Sequence, residues 1–418
     1  MKADSTAEPH QKGTNVRIGH MLAGVYIHVP FCQVRCSYCD FNTYAGLGDM
    51  IPAYTAAVCR EIELVAQGAS QAGLGPVQAD SVYFGGGTPS LLPARQVEAI
   101  VETLRRNLTV IPTAEITCEA NPGTVDMDRL SALHALGVNR LSFGVQSAQA
   151  DELHLLDRLH TFDQAVQAVA WARRAGFENL NLDLIYGIMG QSLVSWQASL
   201  HRALELNPEH LSLYALTVES GTPMHARVQS GELLMPDADL AADMYEWARD
   251  ELQSAGYRHY EISNWARADP RDEDATPAFA CRHNLGTWRL QSYLGLGAGA
   301  HGFVPGWRYS NVRHPAEYLS RVNTGEPRPF PFSPAMAESR AVDAHTERRD
   351  MLLLGLRLVE EGVEASAFKQ RYGVGLETVF GEDLAELEGQ GLLERAGARI
   401  RLTRKGHLLG NRVFVHFV

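Results

Sequence analysis

The stretch Cys32-Gln33-Val34-Arg35-Cys36-Ser37-Tyr38-Cys39 contains three of the six cysteines in a chain of 418 residues. Three thiols at the spacing C-x3-C-x2-C can face a common centre from one short loop, and thiolates are the ligands that iron–sulfur clusters use. Three protein ligands would leave one iron of a four-iron cluster free to bind a small molecule, as a catalytic zinc keeps an open position. A structural zinc ion with Cys59 or His28 as its fourth ligand is the alternative that the spacing allows.

The sequence around this loop favours the cluster, because short apolar runs alternate with longer amphipathic runs. We predict strands over 24–29, 81–84, 115–119, 140–145, 181–185 and 210–215. Helices are predicted over 52–66, 93–107, 127–136, 161–175, 192–204 and 237–255. This alternation indicates an α/β fold with a parallel sheet and right-handed crossovers, and six units predict a partial (β/α)6 barrel. An open doubly wound sheet fits the same pattern, but the cysteine loop lies where a dinucleotide-binding G-x-G-x-x-G would follow strand one.

Two motifs together carry a family resemblance. The cysteine loop after the first strand, followed by Tyr83-Phe84-Gly85-Gly86-Gly87-Thr88-Pro89, resembles the radical S-adenosylmethionine (SAM) superfamily. Within it, the run from Tyr26 to Cys39 resembles the oxygen-independent coproporphyrinogen III oxidase family, and especially its HemW-type haem-chaperone branch. The resemblance extends from about Gly24 to the C-terminus. It implies a radical SAM (β/α)6 barrel followed by a small α+β winged-helix-like domain.

The domain organisation follows from the patterns and from this resemblance. We expect a disordered tail over 1–20, the barrel over 21–262, an irregular linking region with haem-candidate residues over 263–344, and the winged-helix-like domain over 345–418. In that last domain we predict helices over 348–361, 365–371 and 376–390, then two β-like runs over 392–402 and 412–418.

Most of the predicted strands end in polar or unusual residues, at the edge where parallel barrels place their chemistry. A SAM-like ligand needs acceptors for its amino group and ribose hydroxyls, and glycines let the backbone approach it closely. The resemblance implies that Cys32, Cys36 and Cys39 bind a [4Fe-4S] cluster, and that the SAM contacts are Tyr26, Tyr38, Gly86, Gly87, Thr88, Glu119, Gln146, Arg158, Asp183 and Ala215. Taken singly, these residues are typical of turns, caps or surface ion pairs, but several of them at the strand ends of one chain favour a site.

The chaperone and oxidase branches differ at two places in this chain. The oxidase pattern has a fourth cysteine where this chain has Phe41, as the chaperone branch does. The chaperone signature H-N-x-x-Y-W resembles the run His283-Asn284-Leu285-Gly286-Thr287-Trp288, in which Thr287 replaces the tyrosine. His283 is then a candidate axial ligand for haem iron, or else a hydrogen-bonding histidine that orients a loop. Further haem candidates are His301 as a second ligand, Arg282, Arg289 and Arg308 for the propionates, and Trp288 and Trp307 for the ring faces.

Two functions fit these sequence patterns. The first is a haem chaperone that holds the cluster, SAM and haem and delivers haem to an acceptor protein, for which a haem protein of the respiratory chain is the candidate. The second is an enzyme, a coproporphyrinogen dehydrogenase that cleaves SAM reductively and abstracts hydrogen from a propionate. Phe41 and the histidine motif favour the first.

Composition limits the other function classes. The formal net charge of −12 argues against nucleic acid as a partner, because phosphate binding needs a basic face. Six cysteines in a chain of this length do not form a disulfide framework. We see no apolar run long enough to span a bilayer and no signal peptide in the polar N-terminus, so we expect a cytoplasmic protein.

Overall fold

The computed structural model describes residues 21–269, 271–272 and 276–418. The predicted tail over 1–20 lies outside the described residues. The strands are β1 (Leu22–Val29), β2 (Phe31–Cys32), β3 (Tyr44–Ala45), β4 (Gln78–Gly86), β5 (Thr109–Ala120), β6 (Arg140–Gln146), β7 (Leu180–Tyr186), β8 (His210–Ala215), β9 (Tyr257–Glu261), β10 (Asn264–Arg267), β11 (Tyr293–Leu296), β12 (His301–Val304), β13 (Trp307–Asn311), β14 (Met336–Ala341), β15 (Val363–Glu364), β16 (Leu393–Ala396) and β17 (Arg399–Leu402). The α-helices are α1 (Ile51–Gln71), α2 (Ala94–Asn107), α3 (Met127–Ala135), α4 (Ala150–Leu155), α5 (Phe162–Ala175), α6 (Leu193–Glu205), α7 (Pro223–Gln229), α8 (Ala238–Ser254), α9 (Arg282–Trp288), α10 (Pro315–Thr324), α11 (Ala344–Gly355), α12 (Ala365–Tyr372), α13 (Leu376–Gly389), α14 (Arg404–Leu408) and α15 (Gly410–Phe414).

One twelve-stranded sheet organises the large domain. Its strand order is β14-β13-β12-β11-β1-β4-β5-β6-β7-β8-β10-β9. The six predicted strands are β1 and β4 to β8, and they lie side by side in chain order with parallel pairing. Helices cover these strands, so most of their residues are buried, as in β7, where six of the seven residues are buried. The predicted α/β class and the parallel sheet built from six β/α units are therefore confirmed.

The prediction of an irregular region over 263–344 is wrong. β11 pairs in parallel with β1 and adds a seventh parallel strand, and β12 to β14 continue the sheet as an antiparallel meander. On the other edge, β10 pairs antiparallel with β8. These strands are four to six residues long and are separated by turns such as the one at Gly297 (φ +97°). They are too short for the alternation of apolar and polar residues that indicates a strand to be recognised in the sequence.

A buried carboxylate fastens this extension to the first helix. Glu61 of α1 accepts hydrogen bonds from the Gly297 amide at 2.8 Å, Asn311 Nδ2 at 2.8 Å, the Tyr318 hydroxyl at 2.7 Å and the Ser333 hydroxyl at 2.6 Å. Burial raises the pKa of Glu61, and the four hydrogen bonds offset only part of this rise. Four donors satisfy a carboxylate that would otherwise be costly to bury.

The C-terminal domain has its own apolar core. β15, β17 and β16 form a three-stranded antiparallel sheet beside α11, α12 and α13, which matches the predicted winged-helix-like arrangement. The β-like run predicted over 412–418 is wrong, because this segment is helical in α15 and continues as a 3-10 turn over Val415–Phe417. No helix in the described part of the chain is both long and apolar enough to cross a membrane.

Candidate functional site

The three clustered cysteines open onto a cavity of about 380 Å³ at the carboxyl ends of the parallel strands. Hydrogen-bond donors lie close to their sulfur atoms: the Thr88 hydroxyl is 3.6 Å from Cys32 Sγ, and Arg158 Nη1 is 3.7 Å from Cys36 Sγ. The Thr43 hydroxyl lies 3.9 Å from Cys39 Sγ. Burial raises the pKa of Cys32 and of Cys39. Three soft donors with nearby polar hydrogens suit an iron–sulfur cluster, whose potential depends on hydrogen bonds to sulfur.

A single-ion site receives less support from the same surroundings. His28, one of the two possible fourth zinc ligands, has Nδ1 3.1 Å from the Tyr26 hydroxyl and Nε2 2.9 Å from the Asn42 carbonyl oxygen. The other, Cys59, lies within α1. Among the described residues, no group of three or more His, Cys, Asp or Glu side chains is arranged to hold one metal ion.

The structure brings together the residues that the resemblance implied. All of them except Tyr26 and His283 line the cysteine cavity, namely Cys32, Cys36, Cys39, Tyr38, Gly86, Gly87, Thr88, Glu119, Gln146, Arg158, Asp183 and Ala215. Sequence reasoning missed Tyr83, Asn121, Ser142 and Tyr214, which line it as well. Tyr83 begins the quoted glycine motif and Asn121 follows Glu119 by two residues, so their position at strand ends was a usable signal.

Two half-buried carboxylates, Glu119 of β5 and Asp183 of β7, line this cavity from the two strands that flank β6. Glu119 accepts hydrogen bonds from the Tyr83 hydroxyl at 2.8 Å and from the Gly86 amide at 3.1 Å. Burial raises the pKa of Glu119 to about 7, and the nearby Asp183 carboxylate also raises it. Burial likewise raises the pKa of Asp183, which accepts from Ser142 Oγ at 2.9 Å. Such a pair can accept hydrogen bonds from an ammonium group or from hydroxyl groups of a ligand.

Backbone geometry keeps the cavity open between the glycine loop and the cysteine loop. A Cβ atom on Gly87 would lie 2.6 Å from the Phe31 carbonyl oxygen and 3.0 Å from Cys32 Sγ. Gly86 has φ +115°, a conformation that favours glycine. Gln146 has φ +67° at the end of β6, and strained residues of this kind concentrate at functional sites.

Arg158 is part of the cavity wall. Its Nη2 donates to the Gly144 carbonyl oxygen at 2.8 Å and to Asn121 Oδ1. The alternative of a surface ion pair is therefore wrong, since the described partners of its guanidinium are a carbonyl, an amide and the Cys36 sulfur.

A second cavity of about 1190 Å³ adjoins the first and shares Tyr83, Gly86 and Glu119 with it. Tyr26 and His283 line this larger cavity, and so do Phe41, Thr287, Tyr293, His301 and His314. Phe41 lines both cavities and is 63% exposed.

His283 is held in place from two directions. Its Nδ1 lies 3.1 Å from Ser81 Oγ, and its ring stacks on Tyr83 with centroids 5.2 Å apart and on Tyr26 with centroids 6.1 Å apart. Burial lowers the pKa of His283 to about 4, so the imidazole is neutral at pH 7. When Nδ1–H donates to Ser81, Nε2 keeps a lone pair, which is the usual arrangement of a metal-ligating histidine.

The five arginine and tryptophan candidates are not in this cavity. Arg289 pairs with Glu361 at 2.6 Å and Arg308 with Asp350 at 2.9 Å, while Arg282 Nη1 donates to the Thr113 carbonyl oxygen at 2.6 Å. The Arg357 guanidinium covers the Trp288 ring at 4.4 Å, and Trp307 packs edge-on against Phe332 at 5.3 Å. The structure therefore does not bring these five residues together with His283 around the larger cavity.

Comparisons with known proteins agree with this geometry. The sequence profile of the radical SAM superfamily matches residues 26–203, and that of the HemN C-terminal domain matches residues 342–409. The heme chaperone HemW of Bacillus subtilis is 34% identical over 399 residues, which cover 95% of this chain and 99% of that protein. The heme chaperone HemW of Mycobacterium tuberculosis (strain H37Rv) is 38% identical over 394 residues, which cover 93% of each.

A solved structure has the same fold. Coproporphyrinogen III oxidase (HemN) from Escherichia coli, a radical SAM enzyme, aligns with a TM-score of 0.79 over 96% of this chain and 91% of that chain. At 24% sequence identity, this likeness supports the fold alone.

Proposed function

Because this chain belongs to the HemW family of haem chaperones within the radical SAM superfamily, we propose that it binds an iron–sulfur cluster, SAM and haem, and delivers the haem to an acceptor protein. The observation that carries the haem part is the neutral His283 in a large cavity that adjoins the three cysteines. The acceptor that we propose is a haem protein of the respiratory chain, and the compartment is the reducing cytoplasm.

In this proposal Cys32, Cys36 and Cys39 hold a [4Fe-4S] cluster. Their three thiols line one cavity, and donors from Thr88 and Arg158 lie near two of the sulfur atoms. When bound, the cluster offers SAM an iron without a protein ligand and a source of one electron. Whether that electron cleaves SAM during haem delivery is separate from the binding proposal.

The smaller cavity is the proposed SAM site. Glu119 and Asp183 offer carboxylate oxygens for the ammonium group and the ribose hydroxyls. Gly86 and Gly87 allow the backbone to approach the ligand, and Tyr38 and Ala215 supply apolar surface. Thr88, Gln146 and Arg158 complete the lining.

The larger cavity is the proposed haem site. Its volume of about 1190 Å³ is ample, because pockets for cofactors are usually about 300–1000 Å³. His283 Nε2 would bind the iron, and the Ser81 hydroxyl would fix the orientation of its ring. Phe41 would cover part of the porphyrin from the rim.

Coproporphyrinogen dehydrogenase activity is the second candidate, supported by the common fold with the E. coli oxidase. Phe41 stands where the oxidase pattern has its fourth cysteine, which favours the chaperone. Incubation of the anaerobically reconstituted protein with SAM, a reductant and coproporphyrinogen III separates the two. We expect no protoporphyrinogen, and its formation with turnover would overturn the preference.

Haem titration tests the site. His283→Ala should weaken haem binding strongly and leave the iron and sulfide content unchanged. The matched control is His134→Ala in α3, whose imidazole lies outside both cavities and packs against Phe177. Unchanged haem spectra and affinity in His283→Ala would remove this residue as the ligand.

A further inference from the structure

The amide side chain of Asn42 joins the cysteine loop to the wall of the larger cavity. Asn42 follows Cys39 by three residues. Its Nδ2 donates to the carbonyl oxygens of Ala298 at 3.0 Å and Arg313 at 2.9 Å, and its Oδ1 accepts from the Tyr44 hydroxyl at 3.2 Å. Both N–H groups of the amide are therefore used, which fixes its orientation.

The two carbonyl groups belong to segments that form the cavity wall. Arg313 lines the larger cavity, as does Gly299, which follows Ala298. A Cβ atom on Gly299 would lie 2.3 Å from Asn42 Nδ2, and Gly299 has φ +78°. Because the packing is this close, neither wall segment can shift without moving Asn42.

A second connection runs from the backbone of Asn42 to the candidate haem ligand. The Asn42 carbonyl oxygen accepts from His28 Nε2 at 2.9 Å, so Nε2 carries the hydrogen and Nδ1 accepts from the Tyr26 hydroxyl at 3.1 Å. Burial lowers the pKa of His28, which agrees with this neutral form. The Tyr26 ring then stacks on His283 at an interplanar angle of 28°.

We propose that Asn42 is a positioning residue that couples the two sites, so that a cluster on the cysteine loop tightens haem binding in the larger cavity. This inference rests on the proposed function. A cluster fixes the loop that carries Asn42. The fixed amide then holds the wall segments at Ala298 and Arg313 in the arrangement that binds haem. Thermodynamic linkage makes the effect reciprocal, so bound haem stabilises the cluster by the same factor.

The experiment compares haem affinity with and without the cluster, measured by quenching of tryptophan fluorescence under anaerobic conditions. For the native protein we expect the cluster to tighten haem binding about 5- to 20-fold, within the usual range of coupling between sites. In Asn42→Ala the haem affinities with and without the cluster should agree within about twofold. The reciprocal effect is measured as the rate at which an iron chelator removes the cluster. Bound haem should slow this removal in the native protein and should not slow it in Asn42→Ala.

A second variant disturbs the Asn42 amide by a substitution in the cavity wall that packs against it. Gly299→Ala leaves the sequence of the cysteine loop unaltered, but its added methyl group would displace the Asn42 amide, so this variant should lose the coupling too, even if Asn42→Ala does not hold a cluster. The matched control is Asn107→Ala, whose amide donates to the Thr103 carbonyl oxygen at 2.9 Å at the end of α2; it should keep the coupling.

Two results would overturn the inference and leave the proposed function standing. One is equal haem affinity of the native protein with and without its cluster. The other is full coupling in Gly299→Ala or Asn42→Ala. A native protein that binds neither haem nor cluster would instead remove the proposed function itself.

Discussion

The Tyr83 hydroxyl donates a hydrogen bond of 2.8 Å to Glu119 Oε1, and these two side chains form part of the wall between the two cavities. One face of the Tyr83 ring stacks on His283, which lines the larger cavity. The carboxylate that Tyr83 orients lines the smaller cavity as well. A ligand on either side of this wall therefore meets the same hydrogen-bonded pair.

The ionisation of Glu119 should make stability depend on pH. Its pKa is about 7 in the folded protein and 4.5 in its ordinary state, so the folded protein binds more protons between these values. Stability then falls as pH rises through this window, by on the order of 2 to 3 kcal/mol at pH 8. Glu119→Gln has no such slope. Its unfolding free energy relative to the native protein should therefore rise by that amount from pH 5 to pH 8, as measured by denaturant titration of the ligand-free proteins.

The control is Glu98→Gln, at an exposed position of α2. A difference in unfolding free energy between Glu119→Gln and the native protein that stays constant with pH would contradict this prediction.

Replacing any one of Cys32, Cys36 and Cys39 by serine should abolish most of the bound iron and sulfide, because three thiolates are the minimum for a cluster with one open iron. Chemical analysis of anaerobically reconstituted protein measures this loss. Cys59→Ser, in α1, should keep a full complement. A Cys36→Ser protein with unchanged iron and sulfide would show that this thiol is not a ligand.

Removing the Glu61 carboxylate should be among the most destabilising single changes in the large domain. Glu61→Ala leaves four buried donors without their acceptor, at a cost of about 3 to 5 kcal/mol in unfolding free energy. Glu63→Ala, at an exposed position of the same helix, should change it by less than about 0.5 kcal/mol. Urea unfolding followed by circular dichroism measures both, and similar losses in the two variants would refute the anchoring role.

Phe41→Ala should affect haem binding and not stability. The ring is 63% exposed on the rim, so its removal should alter the unfolding free energy by less than about 0.5 kcal/mol. Haem that covers part of this ring would lose about 1.4 kcal/mol of apolar burial, which is about tenfold in affinity. Val194→Ala, with 73% exposure on α6, is the control for a general surface effect. Equal haem affinity in the two variants would place the porphyrin away from Phe41.

The central barrel could be predicted from sequence because its strands are covered on both faces. Strands such as β6 and β7, in which an apolar residue recurs at every second position, then stand out between amphipathic helices. The sixth predicted strand has the observed bounds, His210–Ala215. Polar residues at strand ends were equally informative, since parallel strands bring those ends to one edge.

The rest of the chain lacked such a signal. The short strand β11 is stabilised by its two neighbours in the sheet. One of them, β1, is distant in the sequence, and the other, β12, follows β11 after a turn. In 412–418, the alternation of Val413, Val415 and Phe417 suggested a strand. The structure buries only Val413 and Phe417, four residues apart on one helical face, and leaves Val415 66% exposed.

The ion pairs of the haem-candidate arginines could not be predicted for a related reason. Arg289 and Arg308 find carboxylate partners in Glu361 and Asp350, about forty or more residues further along the chain. A single sequence does not show such pairing. An arginine that is available to bind a ligand therefore cannot be distinguished from one that already pairs with a carboxylate.

The parallel pairing of Gly24 with Tyr293 has a consequence for biosynthesis. At about 5–20 residues per second of translation, the nascent β1 waits roughly 15 to 50 s before the segment that covers its second edge leaves the ribosome. Until then one side of a long apolar strand has unpaired amide and carbonyl groups, the kind of edge that recruits other chains. Fragments that stop near residue 290 should therefore precipitate during expression, and production in cells should benefit from added ribosome-bound chaperones, which cover the exposed edge during this wait.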